Sequence, residues 1–90
     1  DRVYPNPFNP TTTLSFALPV TSNVLLEVYD INGRLINELI KSNMDAGYHS
    51  VVWNADNNAS GVYFVKMLAS PSAGGVAGEY IHTQKLMLIK

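Results

Sequence analysis

The sequence predicts an all-β fold, two antiparallel sheets stacked face to face. Two observations lead there. Short runs alternate apolar and polar residues at period two, and no segment carries an apolar stripe at helical period. Clusters of Pro, Gly, Asn and Asp separate the runs at regular intervals, as in sandwiches and small barrels. The length fits one domain spanning residues 1–90, and 47% hydrophobic against 14% charged residues is a globular balance with apolar surface for one modest core.

The elements follow in order. Tyr4 to Pro10 reads YPNPFNP, and its three prolines forbid helix and push the preceding residues toward extended geometry. Tyr4 and Phe8 are expected to pack at a sheet edge, where proline is tolerated. Thr11 to Leu18 alternates, with Leu14, Phe16 and Leu18 on one face. Asn23 to Asp30 puts Val24, Leu26 and Val28 on one face and Glu27 and Tyr29 on the other. Asp30-Ile31-Asn32-Gly33 is a hairpin turn, because Asn32 and Gly33 both tolerate positive φ. Arg34 to Lys41 reads as helix or strand by itself, and its place after the turn selects strand. In the next run His49, Val51 and Trp53 share a face, with Trp53 expected at the centre of the core. Asn54 to Ser60 is a polar loop. Gly61 to Leu68 is rich in β-branched and aromatic residues, as strands prefer. Pro71 to Gly78 is a small-residue loop. Glu79 to Lys90 closes the set, with Leu86 and Leu88 inward and Lys85, Met87 and Ile89 outward.

Composition excludes several function classes. A net charge of −1 gives no general attraction to nucleic acid or anionic membrane. No apolar run has the length of a membrane span. There is no cysteine, so disulfides do not staple the fold. The first residue is Asp1 rather than Met, so the chain is expected to be a piece of a longer protein.

Residues that could do chemistry are few. His49 lies beside Ser50, but strand neighbours face opposite sides, so the pair makes no catalytic dyad. His49 reads as a packing residue and His82 as a surface residue. Asp30-Ile31-Asn32-Gly33 lacks the later ligands of a calcium loop, and Asp56-Asn57-Asn58 reads as a solvated turn. Gly74-Gly75 lies outside any strand-to-helix context that would cradle phosphate. Asn58-Ala59-Ser60 fits a glycosylation sequon but reads as loop. Tyr29, Tyr48, Trp53, Tyr63, Phe64 and Tyr80 could form a sugar-stacking platform, though a core this small is expected to consume most of them. No catalytic residue, metal site or cofactor is therefore expected. Lys85 and Lys90 suit an edge strand guarded against unwanted pairing.

These segments also make a recognisable set. YPNPFNP at Tyr4–Pro10, VYDINGR at Val28–Arg34, AGYHSVVWNA at Ala46–Ala55, ASGVYFVKM at Ala59–Met67 and TQKLMLIK at Thr83–Lys90 occur in that order. In this the chain resembles the type A C-terminal sorting domains of the type IX secretion system, found on secreted proteins of Bacteroidetes and related bacteria. A closely similar pattern occurs in the immunoglobulin-like domain of the flagellar hook-capping protein. The resemblance implies an immunoglobulin-like sandwich of about seven short strands that serves as an address label. It implies a parent protein that crosses the periplasm to the outer-membrane surface or beyond. The implied partners are the translocon and a sortase-like cysteine protease, with no nucleic acid and no membrane insertion. The motif residues it marks are Tyr4, Pro5, Asn6, Pro7, Phe8, Asn9 and Pro10, then Gly33, Arg34, Gly61, Tyr63, Lys85 and Lys90.

Three departures stand out. Asn54 replaces the usual Asp after Trp, Gln84 replaces a common Lys, and the loop Pro71–Gly78 is long. The first two are expected at turn or surface positions. Two other readings stay open on sequence alone: a structural or adhesion module of a surface enzyme or flagellar cap, and a carbohydrate-binding module.

Overall fold

A computed structural model describes residues 10–72 and 78–89, together with the backbone of residues 2–4. It contains seven strands: β1 (Arg2–Tyr4), β2 (Thr11–Leu18), β3 (Ser22–Asp30), β4 (Leu35–Met44), β5 (Gly47–Asn54), β6 (Gly61–Pro71) and β7 (Tyr80–Leu88). Every pairing is antiparallel. One sheet has the order β1-β2-β5, the other β4-β3-β6-β7. Strand number and order make an immunoglobulin-like sandwich in which β4 pairs with β3. In the constant-type immunoglobulin arrangement the fourth strand pairs with the fifth instead.

Alternation decides which residues enter the core. Leu14, Phe16 and Leu18 of β2 face Val24, Leu26 and Val28 of β3, with Tyr63, Val65, Met67 and Ala69 of β6 and Leu86 and Leu88 of β7. All are buried, and Val28 and Leu86 are fully so. Trp53 is the largest of the fully buried side chains, at the position expected of it. Its indole N–H donates to Asn37 Oδ1 at 3.0 Å, which links β5 of one sheet to β4 of the other.

Strand β4 extends past the expected Lys41 to Met44, and its register against β3 slips twice. Leu26 opposes Ile40 and Glu27 opposes Glu38, so Leu39 is the extra residue; Ile36 is the second, between the pairs Val28–Asn37 and Tyr29–Leu35. Such bulges bend and twist a strand. They also explain how Ile36, Leu39, Ile40 and Met44 all pack against the core in spite of their irregular spacing.

Three expectations change. Of the six aromatics considered, only Trp53 and Tyr63 are buried. Tyr29 and Phe64 pair on the outer face of the four-stranded sheet, one residue out of step with the core positions. Tyr48 is 93% and Tyr80 48% exposed. These aromatics lie on different faces and form no common platform. His82 is half-buried and shares the inward parity of Leu86 and Leu88, with its ring stacked 6.3 Å from that of Tyr80. Gln84 has the same parity and is half-buried, not a surface residue. His49 packs as expected, its ring 5.5 Å from Phe16.

Candidate recognition surface

The Gly33–Arg34 motif is a device for turning the chain. Asp30 N–H donates to Arg34 O at 3.0 Å, and Gly33 N–H donates to Asp30 O at 3.1 Å. The loop between them is three residues, Ile31 to Gly33. Only Gly33 takes a positive φ, +82°, and Asn32 does not. The expected hairpin turn at Asp30–Gly33 is therefore present as a three-residue loop closed by glycine in the left-handed region, without the positive φ that Asn32 could have taken.

Asp30 organises this turn, a role the sequence reading missed. Its Oδ1 accepts from the backbone N–H of Asn32 at 2.8 Å and of Arg34 at 3.0 Å. Its Oδ2 meets the Arg34 guanidinium at 3.2 Å. The Arg34 backbone N–H, with the Asn32 N–H and the guanidinium, holds the carboxyl below the ordinary aspartate range. The available signal was an Asp two residues before Asn, a pattern that makes such side-chain-to-backbone bonds.

The Gly61–Tyr63 motif is likewise structural. Gly61 opens β6 at a φ of +153°, which side-chain-bearing residues rarely adopt. Tyr63 is 7% exposed, its ring edge-on to Trp53 with centroids 5.4 Å apart. Its hydroxyl donates to the Ala59 carbonyl at 2.6 Å. A tyrosine near the start of the sixth strand, bonded back to the preceding corner, is the tyrosine corner of immunoglobulin-like sandwiches.

The remaining motif positions separate clearly. Pro10 O accepts from Ala55 N at 2.9 Å, tying the start of β2 to the end of β5. The side chain of Tyr4, the segment Pro5-Asn6-Pro7-Phe8-Asn9 and Lys90 lie outside the described residues, as does most of the long loop. Asn54 keeps a turn role, its Oδ1 accepting from Asp56 N at 3.0 Å.

Lys85 is exposed on β7, at the edge of the four-stranded sheet. It shares the sheet's outer face with Lys66 and Lys41, since Lys85 opposes Phe64, Lys66 opposes Glu27 and Lys41 opposes Leu25. Exposed apolar residues flank them: Leu35, Ile81 and Met87. Two shallow grooves open on the same face, one of about 390 Å³ beside Tyr29, Phe64, Lys66 and Thr83, the other of about 330 Å³ beside Leu25, Lys41 and Leu68. Among the described residues no group of His, Asp or Glu has the makings of a metal site.

The family model of the secretion system C-terminal sorting domain matches residues 2–73. The chain belongs to this family. It is a C-terminal sorting signal for the type IX secretion system, a tail that directs export to the cell surface or the extracellular space. Sorting domains of this family are signals, not catalysts. Neither a curated protein nor a solved structure matches the chain. The family match takes in β1 to β6 and ends before β7, so it covers Gly33, Arg34, Gly61 and Tyr63 but not Lys85.

Proposed function

We propose that the sorting domain works as a folded ligand, read by the translocon through its exposed lysine-bearing face, and does no chemistry itself. The observation that carries this is a division among the motif residues. Gly33, Gly61 and Tyr63 are occupied in making the turn and the corner. Lys85 has no comparable place in the core and stands exposed on an edge strand. Residues needed for the fold preserve the label, and exposed ones are available to be read. A translocon subunit that docks on this face meets Lys41, Lys66 and Lys85 together with Glu27 and Glu38 among aliphatic side chains, a surface suited to a partly apolar partner of complementary charge pattern.

In this reading the parent reaches the periplasm first, and the tail folds there. After passage, a sortase-like cysteine protease removes the tail ahead of the domain.

The test is a reporter carrying a periplasmic leader and this domain, expressed in a type IX-competent bacterium. The reporter is expected outside the cell with the tail and in the periplasm without it. Retention of the tailed reporter, while a control tail is exported, would overturn the proposal.

A further inference from the structure

The sheet edges are unequally guarded. Strands β5 and β7 are both regular edges, whereas β1 has three residues and β4 is broken by two bulges. Shortness and bulges are usual ways of blunting an edge. Strand β7 has nine residues and pairs with β6 in unbroken register from Tyr80 to Leu88. Its outer face presents Ile81 at 58% and Met87 at 43% exposure. A long, regular edge with exposed aliphatics is a template for another strand wherever Lys85, the charge that guards it, is set against an uncharged residue.

The sequence of β7 states which strand fits. Opposed residues in an antiparallel pair must point to the same face, so two copies of β7 related by a two-fold axis must centre on a residue. Centring on Lys85 opposes the two lysines. Centring on Thr83 sets Ile81 against Lys85, and centring on Leu86 sets Met87 against Lys85. Centring on Gln84, the middle of the strand, opposes Ile81 with Met87 and Thr83 with Lys85. Only this last register matches aliphatic to aliphatic, keeps the lysines from direct opposition and pairs all nine residues, Tyr80 meeting Leu88.

We propose that the β7 edge is a self-association surface: two copies of the domain join edge to edge about Gln84 into one eight-stranded sheet. The contact is a single strand edge, so association is weak, below the standard class of stable interfaces. The inference is independent of the export reading.

Sedimentation equilibrium of the full chain tests it. A monomer–dimer equilibrium is expected, and Ile81→Lys weakens it by about tenfold or more, since it sets a charge against Met87 of the partner. Ile81 is exposed, so the variant keeps its circular dichroism spectrum and melting temperature. Cysteine cross-linking then fixes the register, in a chain with no cysteine of its own. Gln84→Cys is expected to give a disulfide dimer, since paired Cα atoms are about 5 Å apart, within disulfide reach. Thr83→Cys is expected to cross-link slowly even though Thr83 is the more exposed, because its symmetry mate is about 8 Å away. A strictly monomeric wild type at millimolar concentration, or cross-linking faster for T83C than for Q84C, overturns the proposal.

Discussion

Replacing Tyr63 with Phe separates what holds this sandwich from what is recognised on it. The substitution deletes one hydroxyl and leaves the ring. The ring keeps its edge-on contact with Trp53 at 5.4 Å and its place in the core. The bond from the Tyr63 hydroxyl to the Ala59 carbonyl, 2.6 Å long and partly buried, is lost. A bond of this kind contributes about 0.5–1.5 kcal/mol net. For a domain of this size, 1 kcal/mol lowers the melting temperature by about 4–8 °C. Tyr63→Phe should therefore melt about 2–12 °C below wild type, with an unchanged urea m-value because the buried surface is nearly the same. Tyr63→Ala also removes the ring and should cost about 3–5 kcal/mol. Urea unfolding followed by Trp53 fluorescence measures both. A Tyr63→Phe variant as stable as wild type would refute the corner bond as a stabilising contact. A Phe variant as damaged as the Ala variant would refute the assignment of the packing to the ring.

Other outcomes follow from the same contacts. Asn37→Ala removes the oxygen that accepts from the Trp53 indole and should destabilise by about 1–3 kcal/mol, with a red shift of Trp53 emission on water entry; equal stability by urea titration counts against the link between the sheets. Gly33→Ala puts a side chain at a φ of +82° and should cost about 1–2 kcal/mol without unfolding the domain, and a neutral result would mean that the turn readily changes type. The Asp30 carboxyl titrates below its ordinary value when folded. Its contribution is full above the unfolded value, near pH 4, and is lost as the pH falls through the folded one. Acid unfolding of Asp30→Asn should accordingly show a shallower loss of stability below pH 4 than wild type, and superimposable curves would contradict this.

How much the sequence discloses depends on how local the governing interaction is. In β2 and β3 the alternation is unbroken, because each strand buries one face only, and the inward apolar residues were readable, while the buried Thr12 and Ser22 were not. In β4 the bulges at Leu39 and Ile36 shift the parity, so Ile36, Leu39, Ile40 and Met44 fall at spacings that look helical. Only the partner strand reveals the slip. The aromatic positions were readable and were misweighted. Tyr29 and Phe64 are one residue out of step with Val28 and Val65, and parity governs burial more strongly than ring size does. The exposure of Lys85 followed from the alternation of the last strand. The Asn37–Trp53 bond leaves no local trace, since it joins strands of different sheets. Edge protection was equally hidden, because it depends on pairing order.

The central claim is that motif residues divide into those that keep the sorting domain folded and those that the export machinery reads. The secreted fraction of a tailed reporter tests it most directly, compared across Tyr63→Phe, Lys85→Glu and wild type at a temperature where all three tails are folded. The account predicts export with Tyr63→Phe close to wild type and a large periplasmic accumulation with Lys85→Glu. Full export of the Lys85→Glu reporter together with loss of the Tyr63→Phe reporter would contradict it.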